Sequence, residues 1–240
     1  MADGDGAGMI RLDDDGTVAV LALDRPAQRN ALATSDWRLL EDTIAAVPRS
    51  AAAVLLRSST PGIFSAGADL RDLALLAEDA GRRAPFRLAM RGAIDALAAL
   101  PMPVVAAIDG GCFGAGVALA LAADLRIASD LASFAVPPAR LGIAYPAEDV
   151  ARLSARVGEA QAARLLFTGA TIDAAEAVRI GLVDTIDDGA AVAAAIAEND
   201  PAALVTLKAM LRSPSDTGHA AAFEESFANP RFAAATKRYR

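Results

Sequence analysis

Short β-branched apolar runs alternate along this chain with longer stretches whose apolar residues recur every three or four positions. Runs at residues 17–23, 53–57, 104–108 and 125–128 have the length of buried strands. Between them, residues 34–47 open on Thr34 and stop at Pro48. Residues 82–100 carry Phe86, Met90, Ile94 and Leu97 on one helical face before Pro101. Strand, helix and strand in that order predict crossover connections and a mostly parallel sheet. Beyond about Asp149 the strand signals fade, and alanine-rich helical patterns follow, punctuated by Gly158, Gly169, Gly181 and Pro201. No fixed repeat period is present.

Composition narrows the chemistry. The 240 residues hold 23 Lys and Arg against 30 Asp and Glu, a net charge of −7, which disfavours nucleic acid because phosphate backbones need a basic face. With 54% hydrophobic residues and mean hydropathy +0.34, the chain reads as a packed globular protein. Cys112 is the only cysteine and His219 the only histidine, so internal disulfides, Cys/His metal sites and most histidine-based catalytic groups are excluded. The longest apolar runs, such as residues 117–123, fall far short of the about 18 residues of a membrane span. Residues 1–9 read as an acidic, glycine-rich leader without the features of a signal peptide, so a cytoplasmic location is expected.

The remaining chemistry must use carboxylates, hydroxyls or backbone amides. Segments 62–70 (GIFSAGADL) and 109–119 (DGGCFGAGVAL) each follow a predicted strand and open a predicted helix. Glycines there permit sharp turns and bring main-chain N–H groups close to a ligand. Two such loops can aim one amide each at a single oxygen, the design of an oxyanion hole. Ordinary tight turns give the same pattern for either loop alone. A dinucleotide fingerprint is disfavoured, because Leu119 stands where its third small residue belongs.

These loops, together with Arg25 to Leu32 (RPAQRNAL), Phe167 to Gly169, Ala174 to Ala177 and Gly181 to Asp184, resemble the enoyl-CoA hydratase/isomerase, or crotonase, superfamily in order and spacing from about residue 10 to residue 212. The resemblance implies an α/β fold, a spiral of ββα units with a helical C-terminal region. Its expected organisation is a core over 10–185 and a helical lid or trimerisation region over 186–240, assembled as a homotrimer or hexamer. It implies oxyanion donors at the N–H groups of Ala68 and Ala115. Coenzyme A would run along Arg25, Ala27, Arg29, Ala66 and Arg71 as part of the substrate, with no permanently bound cofactor and no metal. Guanidinium groups suit its phosphates.

The pattern breaks at the acid and base. The two glutamates of family hydratases fall on Ala118 and Pro138, and neither can move a proton. Tyr145 stands where the similar methylmalonyl-CoA decarboxylases carry a tyrosine, although that branch keeps the first glutamate. Glu148 and Asp149 follow at a predicted helix start, where carboxylates either complement the helix dipole or take a catalytic part. Cys112 reads as buried and inert, His219 as exposed, and Asp69, Asp124 and Ser65 as structural. Lys208 matches a common lysine of the family. Three functions stay open: an enolate-stabilising acyl-CoA enzyme (double-bond shift, decarboxylation or thioester hydrolysis), a non-catalytic acyl-CoA binder, and an assembly subunit.

Overall fold

A computed structural model describes residues 10–14 and 16–239. The expected leader at 1–9 lies outside them. Six strands form the main sheet in the order Ile10–Asp14, Val18–Leu23, Ala53–Ser58, Val104–Ile108, Leu125–Ala128 and Thr185–Ile186. The first pair is antiparallel and every other pair is parallel. A second sheet orders Ile172–Asp173, Ser133–Ala135, Gly111–Phe113 and Ile63–Ser65. The three central turns of the chain each give one strand to each sheet before a helix, and the first gives Ala31–Leu32, which pairs with Gly67–Ala68, in keeping with the expected spiral of ββα units.

Both faces of the main sheet are covered, and the pleat decides which residue goes where. Val54 and Leu56 enter the large inner core with Leu21, Leu23, Val104 and Ala106, while Ala53, Leu55, Val105 and Ile127 face the other way. Helix Gly189–Ala197 covers that outer face through Ala193 and Ala197. The sequence-based boundary after residue 185 is corrected here. It falls inside the strand Thr185–Ile186, and the helix just beyond it is core rather than lid. Inside the spiral, helices Thr34–Ala45 and Arg83–Ala99 pack together through the fully buried Trp37, Leu40, Ile94 and Leu97.

The helices Pro201–Arg212, His219–Ser226 and Pro230–Thr236 run outside the core, and Lys208 is the only buried residue among them. Its ammonium donates to the Met102 carbonyl at 2.7 Å and meets Asp124 at 2.6 Å. Burial pulls its pKa below the usual lysine range, with Asp124 opposing the shift. Among the described residues no single helix is long and apolar enough to cross a membrane.

Candidate active site

The two glycine loops meet. Gly67 takes φ +93°, and a Cβ placed on it would lie 2.5 Å from the Phe113 carbonyl oxygen and 3.0 Å from the Ala115 nitrogen. Only glycine lets the chains approach so closely. On the other side, a Cβ on Gly116 would lie 2.9 Å from Ser65 Cβ. Ala68 and Ala115 therefore flank one narrow gap. Ala115 is the first residue of helix Ala115–Ala120, so its N–H has no acceptor within that helix.

A buried hub fixes the first loop. Asn30 sits at φ +54° directly after Arg29 at φ +53°, two successive left-handed residues. The asparagine side chain accepts from Arg25 N at 2.7 Å and donates to Ser58 Oγ at 2.7 Å and Phe64 O at 3.0 Å. Its own carbonyl accepts from Ser65 Oγ at 2.7 Å, and Ser65 Oγ accepts in turn from Gly67 N at 3.1 Å. The Arg29 carbonyl takes the Ala66 N–H at 2.9 Å. Ser65 supports the turn, as its sequence position implies.

The gap opens into a cavity of about 530 Å³ whose wall is almost wholly apolar. Ala66, Ala68, Gly114 and Ala115 form one end, and Tyr145 and Glu148 also line it. The Tyr145 hydroxyl donates to the Gly114 carbonyl at 3.0 Å, so the phenol stands beside the second loop. Burial, then the nearby Asp149 charge, pushes its pKa well above the usual tyrosine value. Pro138 is part of the wall, whereas Ala118 is fully buried behind it. No carboxylate replaces either one in place. Glu148, exposed at the first turn of helix Ala147–Val157, is the only carboxylate among the described residues of the wall.

Asp149 does not reach the cavity. It is fully buried, with Oδ1 accepting from Arg91 Nη1 at 2.8 Å and lying 3.5 Å from Arg152 Nη1. Neither helix capping nor a wall position describes it, because the turn of helix that presents Glu148 outward turns Asp149 toward Arg91.

A second cavity, about 570 Å³, adjoins the first through Ala66 and Ala68 and is far more polar. Ala27, Arg29 and Arg71 line it, and Arg140, which sequence reasoning missed, completes the basic rim. Arg25 is a correction. Its Nη1 donates to the Ala31 carbonyl at 2.8 Å and pairs with Asp36 at 2.5 Å and Asp69 at 3.4 Å, so it braces the loop from inside. Burial raises the Asp36 pKa, opposed by the Ala33 N–H and by Arg25. Asp69 caps helix Leu70–Glu78 by accepting from Arg71 N at 2.8 Å. Arg87, also missed, lines the apolar cavity. Its only sequence signal is a position on the solvent side of its helix.

The other candidates lie elsewhere. Cys112 is fully buried, and desolvation raises its thiol far above the usual range. His219 lines neither cavity, and its Nε2 lies 2.7 Å from the Ser213 carbonyl oxygen. It is partly covered rather than fully exposed.

The sequence model of the enoyl-CoA hydratase/isomerase family matches residues 13–232. Mouse methylglutaconyl-CoA hydratase, a mitochondrial protein, is 33% identical over 171 residues, which cover 70% of this chain and 54% of that relative. The chain thus spans about half the length of that relative. Among solved structures, an enoyl-CoA hydratase/carnithine racemase from Magnetospirillum magneticum superposes with TM-score 0.89 at 29% identity, covering 98% of this chain and 94% of the other. An enoyl-CoA hydratase from Bacillus anthracis gives TM-score 0.84 at 27% identity, with 92% of each chain covered. The paired glycine loops thus sit in a fold and a sequence pattern shared with these proteins, and the chain belongs to the enoyl-CoA hydratase/isomerase (crotonase) family.

Proposed function

We propose that this protein binds acyl-CoA thioesters and polarises the thioester carbonyl between the N–H groups of Ala68 and Ala115, stabilising an enolate. The single observation that carries this reading is the contact of Gly67 with Phe113 and Ala115, which joins two loops at the end of an apolar cavity. Such preorganised donors act in a water-poor site, where they are worth far more than in bulk water. The acyl group takes the apolar cavity. The phosphates of coenzyme A meet Arg29, Arg71 and Arg140 in the polar one. No cofactor beyond the coenzyme A of the substrate is required by this chemistry. The reading includes a cytoplasmic location, where a lone thiol such as Cys112 stays reduced.

Without carboxylates at 118 and 138, water is poorly activated. The reactions that fit are those that form an enolate and return a proton to it, with the Tyr145 hydroxyl as the nearest donor. A non-catalytic acyl-CoA carrier uses the same framework, and turnover separates the two.

Calorimetry with acyl-CoAs tests the binding step. Dissociation constants in the micromolar range, about −8 kcal/mol, are expected. Arg71→Ala is expected to weaken CoA thioesters more than CoA-free acyl analogues. A folded protein that binds no thioester at millimolar concentration would refute the reading.

The same reading includes a homotrimer or hexamer. Leu207, Leu211, Phe223 and Phe227 are each more than half exposed on the outlying helices, an apolar surface that suits burial against another copy. Light scattering is expected to find a trimer or a multiple of it. A stable monomer at micromolar concentration contradicts this.

A further inference from the structure

Helix Arg83–Ala99 carries arginines at 83, 87 and 91, four residues apart and therefore on one stripe of its surface. The outer two have protein partners. Arg83 donates to the carbonyls of Leu76 at 2.8 Å and Ala77 at 3.5 Å, and Arg91 pairs with Asp149 at 2.8 Å and Asp95 at 2.9 Å. Arg87, between them, makes no hydrogen bond or ion pair with any described residue. It lines the apolar cavity together with Phe86 and Met90 of the same helix. A further apolar cavity of about 500 Å³ continues from the first past Leu73 and Phe86, and Arg83 lines that one. Carbonyls bear no net charge, so Arg83 keeps its own. Among the described residues, the two walls thus hold two cations, both from one helix, against the single carboxylate of Glu148.

A guanidinium on an apolar wall has little water on the cavity side, and its attraction for an anion there exceeds that in bulk water. A purely apolar acyl group gains nothing from it. A carboxylate does, because its two oxygens match the guanidinium fork. We propose that Arg87 is a specificity-determining residue that selects acyl groups ending in a carboxylate, so that the preferred ligand is the mono-CoA thioester of a dicarboxylic acid. The inference rests on the acyl-CoA reading above and adds the class of acyl group. With the thioester oxygen between Ala68 and Ala115, the methylenes cross the apolar cavity and the distal carboxylate meets Arg87. This carboxylate serves recognition and is not lost in the reaction. The pair between Arg91 and Asp149 braces the helix one turn away, so the cation stands at a set depth and favours one chain length.

Calorimetry comparing glutaryl-, adipyl- and suberyl-CoA with pentanoyl-, hexanoyl- and octanoyl-CoA, matched in carbon number, tests it. One diacid is expected to bind about tenfold or more tighter than its match, as a charge-assisted hydrogen bond provides. Raising the salt from about 0.05 to about 0.5 M is expected to shrink that advantage. Arg87→Gln, which keeps most of the side chain and removes its charge, is expected to bring the diacid-to-monoacid affinity ratio close to one. Monoacid thioesters that bind as tightly as the diacids at every length overturn the proposal and leave the acyl-CoA reading intact. Failure of every thioester to bind removes both. A diacid preference that survives Arg87→Gln also overturns the proposal. So does an equal loss of affinity for all six thioesters in Arg87→Gln and in Glu148→Gln with no diacid preference, which makes Arg87 a partner of Glu148 across the cavity.

Discussion

Crotonyl-CoA is expected to be hydrated far below the about 10 s⁻¹ of an ordinary enzyme. Hydration needs one group to activate water and another to deliver a proton, and removing such groups costs about 10²- to 10⁴-fold each. Ala118 is buried and Pro138 is apolar wall, so both positions are chemically silent. Malonyl-type thioesters, which lose CO2 to leave the enolate, and 3-enoyl thioesters, whose α-proton the Glu148 carboxylate would take, need no activated water and are expected to turn over faster. Tyr145→Phe removes the hydroxyl beside Gly114 and is expected to slow that turnover by about 10²-fold or more. Because the tyrosine pKa is raised, the hydroxyl keeps its proton across the assay range, and the rate is expected to show no alkaline loss between pH 7 and about pH 9. Steady-state rates on the three thioesters decide the matter. Ordinary hydration that disappears in Glu148→Gln would transfer the acid–base role to Glu148.

Stability is expected to hinge on Asp149. Asp149→Ala leaves the Arg91 guanidinium, only 13% exposed, with the exposed Asp95 carboxylate at 2.9 Å as its remaining partner, and losing the buried partner costs up to about 3–5 kcal/mol. For a chain of this size that corresponds to a fall in Tm of about 10 °C. The cluster already carries strain in its hydrogen bonding. Asp149 Oδ2, Arg91 Nη2 and Arg152 Nη1 are buried without a hydrogen-bond partner in the protein. The double change Asp149→Leu with Arg91→Leu removes both charges together and is expected to recover part of the loss, because only Arg152, 28% exposed and still 3.5 Å from Asp95, then loses Asp149 as a partner. Thermal unfolding of the single and double variants checks this. Equal destabilisation by both would show that packing, rather than the ion pair, sets the cost.

Asp149 also shows where reading the sequence ends. Its place at a helix start is legible in the sequence, but its partner Arg91 lies 58 residues away, and nothing local announces the pairing. Arg25 is the same case. The family resemblance implies a phosphate contact there, while Asp36 and Asp69, 11 and 44 residues away, claim its charge. Arg140 joins the basic rim through the placement of the turn Pro138–Leu141, which no periodicity records. By contrast, the strands were legible because burial on both faces demands continuous β-branched runs. The loops were legible because Gly67 and Gly116 stand where any side chain would collide. Local rules reach what a backbone requires within one turn, and long-range pairing decides which charges remain free for a ligand.

The donors assigned to the thioester oxygen belong to the main chain of two alanines, and this has a consequence for how the site behaves under mutation. Scanning the chain with alanine leaves Ala68 and Ala115 untouched by construction and would report the centre of the site as empty. The same property makes the framework durable in inheritance. Substitutions that erase one reaction by changing a side chain of the site leave the polarising amides in place. A lineage can therefore lose its acid and base, drift, and acquire a different chemistry at Tyr145 or Glu148 without rebuilding the carbonyl cradle.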